Sequence, residues 1–139
     1  MFVHRRDVQI RWGDCDPANI VYYPRYFEMF DDSTSTMFEA AGFSRPDIAR
    51  KYGLVGIPLV DTRATFYIAS THGDWIAIES RIASFKRSSF EVTHKVFKGE
   101  ALAIEAFETR VLAACHPDDP GRLKSAPAPG EMVAKFLNG

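Results

Sequence analysis

Cysteine is scarce: Cys15 and Cys115 are the only two in 139 residues and form no CxxC pair, which excludes zinc-ribbon and dithiol redox sites. No apolar run approaches the roughly eighteen residues of a membrane span, so no membrane segment is expected. The N-terminus meets charge at His4-Arg5-Arg6 before an apolar leader can form, which points to a cytoplasmic protein. Charge of one sign is lacking too. Seventeen Lys and Arg against eighteen Asp and Glu leave a net charge of −1, so no global field draws nucleic acid or an anionic membrane. The four histidines, His4, His72, His94 and His116, fall into no HxxH or HxxxH spacing; they read as structural or exposed, with no metal site. Repeats, low-complexity tracts and linkers are absent, so residues 1–139 are expected to form one domain.

What is present is enough apolar material for a real core: 46% hydrophobic and 13% aromatic residues against 25% charged, far from the signature of disorder. Residues 2–12 alternate, with Phe2, His4, Arg6, Val8, Ile10 and Trp12 on one parity, as an antiparallel strand with one wet face does. Gly13-Asp14-Cys15-Asp16-Pro17-Ala18-Asn19 then breaks the pattern with turn residues. From Pro24 to Ala41 the apolar spacing becomes helical, opened by Pro24 and stopped by Gly42. A shorter helix is predicted over Arg45–Tyr52, closed by Gly53.

The text beyond reads as strand: one long strand over Leu54–Ser70, then Trp75–Phe85, Ser89–Phe97 and Ala101–Ala113, joined by short turns as an antiparallel meander. His116–Gly130, rich in Pro and Gly, is predicted to be an irregular surface loop, and Glu131–Leu137 a terminal helix. The sum is an α+β domain in which an antiparallel five-stranded sheet wraps a long central helix. A sheet covered on one face by one helix leaves rim and edges exposed, so an oligomer is expected.

The loop between the first strand and the long helix is the place for chemistry. Asp14 and Asp16 stand two residues apart, immediately before the free N–H groups and positive dipole end of a helix. A carboxylate can attack a carbonyl or activate water, and helix-start N–H groups can hold the oxygen that becomes an oxyanion. The plainer alternative is a turn in which both acids accept backbone N–H groups and Asn19 makes the bend. Cys15 reads as a nucleophile without a partner His or as a small buried hydrophobe.

The stretch Trp12-Gly-Asp-Cys-Asp-Pro-Ala-Asn-Ile-Val-Tyr-Tyr-Pro-Arg-Tyr-Phe27 resembles the signature of the hotdog-fold acyl-CoA thioesterases, specifically the Asp-dependent 4-hydroxybenzoyl-CoA thioesterase type. Supporting likeness lies in residues 53–60, in Asp74-Trp-Ile-Ala-Ile-Glu79 and in Phe85-Lys-Arg-Ser-Ser-Phe90, so the resemblance spans about residues 5–115. It implies that Asp16 is the catalytic acid, as nucleophile or as general base, and that Asp14 fixes the loop. It also implies that the backbone N–H of Tyr23 polarises the thioester carbonyl, the Tyr23 side chain being dispensable for that contact. Asn19 stands where the family's loop carries Gly; Asn tolerates a positive φ, and here it can trim the pocket or add a hydrogen bond.

Asp31 falls on the helix stripe expected to face the sheet. By its matched position it accepts a hydrogen bond from a substrate phenol, the alternatives being a pair with Arg63 or an orientation toward water. Phe27, Phe30 and Phe38 read as core rather than substrate wall. Lys86, Arg87 and Ser88 match the family's nucleotide-phosphate corner, with Ser88 where a third cation is usual; a solvated turn is the alternative. The resemblance implies hydrolysis of an aromatic acyl-CoA, 4-hydroxybenzoyl-CoA first, without metal or redox cofactor, in a homotetramer built as a dimer of dimers. The rivals are a thioesterase for aliphatic acyl-CoA or acyl carrier protein, and a non-catalytic acyl-CoA-binding subunit.

Overall fold

The computed structural model describes Met1–Gly139. Its elements are β1 (His4–Gln9), α1 (Tyr23–Ala40), α2 (Arg45–Tyr52), β2 (Leu54–Gly56), β3 (Leu59–Phe66), β4 (Trp75–Phe85), β5 (Ser89–Lys98), β6 (Ala101–Val111), β7 (Ala113–His116), β8 (Asp119–Ser125) and α3 (Gly130–Asn138). All three expected helices are present, within a residue or so of the expected bounds. Pro24 sits in the first turn of α1, where its missing N–H costs nothing. In α2 the Ser44 hydroxyl accepts the Asp47 N–H at 3.3 Å, and Gly53 closes the helix at φ +68°, a left-handed conformation that a side chain would strain.

The main sheet is five-stranded and antiparallel in the order β1-β4-β5-β6-β3, the hotdog arrangement, with α1 packed on its inner face. The strand count is as expected, but the order is not that of a meander throughout. β3 pairs with β6 at the far edge rather than with the next strand, and β1 takes the place beside β4. The connection 67–74 is too long for a tight hairpin, and it crosses the end of the sheet. Tyr67 N–H bonds the Ala103 carbonyl, Val21 N–H bonds the Ser70 carbonyl, and Ile10 N–H meets the Asp74 carbonyl on the opposite side.

Two further expectations are corrected. Leu54–Ser70 is not one strand: Pro58 lacks an N–H for a ladder, and at Ile57-Pro58 the chain leaves a small second sheet, β2-β7-β8, for the main one. The segment 116–130 is not irregular throughout, because Asp119–Ser125 pairs with Ala113–His116 as an exposed hairpin. Its Pro120 is tolerated because β8 is an edge strand.

Inside, two apolar clusters divide the helix between them. Tyr26, Met29 and Phe30 pack on Ile76, Ile78, Val96 and Ile104, while Met37 and Phe38 pack on Ile82, Phe90, Val92 and the α3 residues Met132 and Phe136. Between the two clusters lies a buried polar layer of Thr34, Ser80, His94, Glu108 and Arg110. Burying a phenylalanine such as Phe30 fully is worth about 1.5–3 kcal/mol, so the layer is tolerated because its neighbours hold α1 in place.

Candidate active site

The loop before α1 is held by its own acids. Trp12–Asp14 forms one 3-10 turn, closed by the Asp14 carboxylate accepting the Arg11 N–H at 2.9 Å. The Asp14 carbonyl in turn accepts the Tyr22 N–H at 2.8 Å, which fixes where α1 starts. Cys15 bridges to Val21, Asp16 N–H donates to the Ile20 carbonyl at 2.9 Å, and Asn19 N–H returns to the Asp16 carbonyl at 2.9 Å. This is a three-residue hairpin whose last member must be left-handed, and Asn19 is the chain's one non-glycine residue with positive φ, at +64°. The departure from glycine is therefore accommodated by the side chain that tolerates it best.

The hairpin is anchored from below. Val21 N–H donates to Ser70 and the Thr71 hydroxyl donates to the Asn19 carbonyl at 2.6 Å. Asp74 holds that second loop: the Thr71 N–H and then Lys98, at 2.9 and 3.1 Å, keep its carboxyl below the usual range. Tyr26 is buried beneath, its phenol pushed up by burial against the opposing hydrogen bond of Ser70. The Cys15 thiol donates to the Arg11 carbonyl at 3.7 Å, and the residue is half-buried rather than sealed in the core.

Asp16 and Tyr23 thus stand on the two flanks of one rigid loop. The Asp16 carboxylate accepts one protein donor, the Ala18 N–H at 2.9 Å, and lines a concavity of about 570 Å³ with Trp12, Gly13, Cys15 and Asn19. The Tyr23 N–H, first in α1, donates to no protein acceptor, and the residue lines an apolar cavity of about 330 Å³ with Ile20, Val21, Tyr26, Phe66 and Ser70. A free helix-start donor beside an apolar cavity, with a carboxylate across the hairpin, is equipment for transfer or hydrolysis of an acyl group.

The other predicted residues lie farther off. Asp31 is two turns along α1 and its side chain is 57% exposed, on the helix edge rather than the stripe facing the sheet. Its partner is Arg110, Nη2 to Oδ1 at 2.9 Å, and not Arg63. Register explains this: Arg63 lies opposite Phe107 and stacks on its ring, and Phe107 has the parity opposite to Ala106, Glu108 and Arg110, which face the helix. Lys86, Arg87 and Ser88 form the β4–β5 corner, with Lys86 and Arg87 exposed. That corner is at the opposite end of β4 from Trp75 and the loop, about 35 Å for an eleven-residue strand. Within this chain the corner therefore does not meet Asp16.

A buried polar layer joins Arg110 to the core. Arg110 Nε bonds Glu108 Oε1 at 2.8 Å, the Thr34 hydroxyl donates to the same oxygen at 2.8 Å, and His94 Nε2 faces Glu108 Oε2 at 3.1 Å. On the other side of the ring, His94 Nδ1 hydrogen-bonds with the Ser80 hydroxyl at 2.7 Å. Burial pushes Glu108 upward, but the hydrogen bonds and charges of His94 and Arg110 outweigh it and hold its pKa at about 2. The available signal was parity: Ile104, Ala106, Glu108 and Arg110 alternate onto one strand face, so two charges must share the core and pair there.

Comparison with known proteins follows the same lines. A family model described as the thioesterase-like superfamily matches residues 10–136. A 4-hydroxybenzoyl-CoA thioesterase of Pseudomonas sp. (strain CBS-3) is 32% identical over 132 residues, 90% of this chain and 91% of that protein. A 1,4-dihydroxy-2-naphthoyl-CoA hydrolase of Prochlorococcus marinus (strain MIT 9211) is 25% identical over 103 residues, 70% of this chain and 68% of that one. Among solved structures, a mutant 4-hydroxybenzoyl CoA thioesterase complexed with 4-hydroxybenzoyl CoA aligns with TM-score 0.89 at 28% identity, covering 98% of this chain and 99% of the other.

Proposed function

The chain belongs to the thioesterase-like superfamily, and from that premise we propose that it hydrolyses an aromatic acyl-CoA, 4-hydroxybenzoyl-CoA first, to the free acid and coenzyme A. The observation that carries the reading is the unpartnered Tyr23 N–H at the start of α1, joined to Asp16 through one hydrogen-bonded hairpin. In this reading the thioester oxygen accepts from Tyr23 N–H, and the charge it gains as the carbonyl carbon turns tetrahedral is met by that donor and the helix end. Asp16 supplies the second component, either attacking the carbon directly or taking a proton from the attacking water. On direct attack coenzyme A leaves as thiolate from a mixed anhydride that water then hydrolyses to the free acid and the Asp16 carboxylate; on the water route the proton held by Asp16 passes to the departing sulfur and coenzyme A leaves as thiol.

Asn19 shapes the rim beside Asp16, and Asp31 accepts the phenol. Lys86, Arg87 and Ser88 hold the nucleotide phosphates, and the separation along β4 means they do so for a neighbouring copy. The open outer edge of β3 supports assembly, since Leu59, Val60 and Phe66 are exposed there and continue into Tyr67 and Ile68. The whole reading is of one hotdog unit over 1–139 acting in the cytoplasm as a dimer of dimers. No helix is long and apolar enough to cross a membrane.

A hydroxylated naphthoyl thioester is the second reading, supported by the similarity to the 1,4-dihydroxy-2-naphthoyl-CoA hydrolase. The test is thiol release from 4-hydroxybenzoyl-, benzoyl-, 1,4-dihydroxy-2-naphthoyl-, butyryl- and palmitoyl-CoA, with the native protein and Asp16→Asn. Preference for 4-hydroxybenzoyl-CoA that Asp16→Asn abolishes is the expected result. Preference for the naphthoyl thioester selects the second reading, aliphatic turnover alone removes the aromatic substrate, and binding without thiol release removes the enzyme.

A further inference from the structure

The guanidinium of Arg110 is the one group that joins the buried polar layer to the helix edge. It is 3% exposed, and each of its nitrogens has a different acceptor: Nε meets Glu108 Oε1 at 2.8 Å, Nη1 meets the Ile57 carbonyl at 3.0 Å, and Nη2 meets Asp31 Oδ1 at 2.9 Å. A planar fork with three separate acceptors has no freedom left to turn. Glu108 is itself fixed by Thr34 and His94, and His94 by Ser80. The position of Arg110 is thus set by β4, β5, β6 and α1 together.

Asp31 gains what Arg110 lacks, an opening. It lines a groove of about 520 Å³ with Pro24, Phe27, Leu59 and two further acids, Glu28 and Asp32; of these Glu28 pairs with Arg25, and while Asp31 Oδ1 is occupied by Arg110, Oδ2 has no protein partner. A half-exposed aspartate on a helix surface ordinarily samples several rotamers, and an acceptor that must first be ordered binds a ligand donor less well. Held by one oxygen, the carboxylate offers the other in a constant position. We propose that Arg110 is a positioning residue that fixes Asp31 as the acceptor for an aryl hydroxyl, and that it thereby sets the preference for hydroxylated over unhydroxylated aryl thioesters. This rests on the reading of the chain as an aryl-CoA thioesterase with Asp31 at the phenol.

Lysine tests the geometry while keeping the charge, because a single ammonium cannot serve three acceptors in three directions. The quantity to measure is the ratio of kcat/KM for 4-hydroxybenzoyl-CoA to that for benzoyl-CoA, in the native protein, Arg110→Lys, Asp31→Ala and the double variant. Arg110→Lys is expected to lower the ratio roughly tenfold or more, the scale of a hydrogen bond to a charged group, with no further fall when it is added to Asp31→Ala. Equal losses on both substrates in Arg110→Lys, with the ratio collapsing only in Asp31→Ala, overturn the role of Arg110 and leave Asp31 in place. A ratio untouched by Asp31→Ala overturns the phenol contact and the proposal with it. Should Arg110→Lys not fold, the paired Glu108→Gln, Arg110→Gln variant removes both buried charges together, and the same fall in the ratio is expected of it.

Discussion

Proline in place of Tyr23 isolates a single hydrogen. Tyr23 is the first residue of α1, where proline is favoured, and its N–H has no protein acceptor to lose. Tyr22 already has φ −67° and ψ 120°, the extended conformation that a following proline requires, and Tyr23 itself already precedes Pro24. Tyr23→Pro therefore deletes the donor at little cost to the helix. The ring is lost as well, so the reference is Tyr23→Ala, which removes the ring and keeps the N–H. If that N–H faces the thioester oxygen, the loss in kcat on going from Ala to Pro is about 10²–10³, or about 2.7–4 kcal/mol of transition-state stabilisation. Tyr23→Phe stays within a few-fold of the native protein. Thiol release under saturating substrate measures kcat, and thermal unfolding of the variants confirms that they are folded. A folded Tyr23→Pro protein with the kcat of Tyr23→Ala refutes the assignment of the donor.

Glu108 should appear in the pH dependence of stability. Its pKa falls from 4.5 to about 2 on folding, worth roughly 3 kcal/mol that is fully present above pH ~4.5 and lost as the pH drops through about 2. Urea unfolding at pH 6, 4 and 3 should show the native protein losing more stability than Glu108→Gln across that interval, and parallel curves would contradict the buried pairing. At the hairpin, Asn19→Gly should unfold at nearly the native temperature, whereas Asn19→Val, which forces a β-branched side chain to φ +64°, should lose about 1–2 kcal/mol. Equal unfolding temperatures for the two variants would mean that the bend relaxes.

The helices and the loop were legible because their signals are local. Pro24, Gly42 and Gly53 punctuate α1 and α2, and Asn19 is a residue that a positive φ selects without reference to anything distant. The β3–β6 pairing is not local: nothing in residues 59–66 distinguishes the far edge of the sheet from the near one, and the choice is made by where the 67–74 connection crosses. Pro120 and Gly121 hid β8 for a related reason, since an exposed edge strand needs neither alternation nor unbroken donors. Asp14 and Asp16 were readable as a pair, and the structure separates them: one carboxylate closes the 3-10 turn and the other lines a cavity.

The same distinction between local and distant signals accounts for the dispersion of the proposed site. Asp16, Asn19 and Tyr23 share one hairpin and one helix start. Lys86, Arg87 and Ser88 turn β4 into β5 at the end of the sheet farthest from that hairpin. A stiff eleven-residue strand lies between them, so no loop movement within one protomer brings the two together. If the proposed roles of Tyr23 and Arg87 hold, one thioester would have to reach from one copy to another. The exposed apolar edge of β3 begins beside Asp31 at Leu59 and ends beside the Tyr23 cavity at Phe66, so a copy seated there would cover the acyl groove and leave the thioester end facing the hairpin. In the proposed dimer, assembly and catalysis would depend on the same surface, because the edge that is costly to leave in water would become a wall of the substrate site.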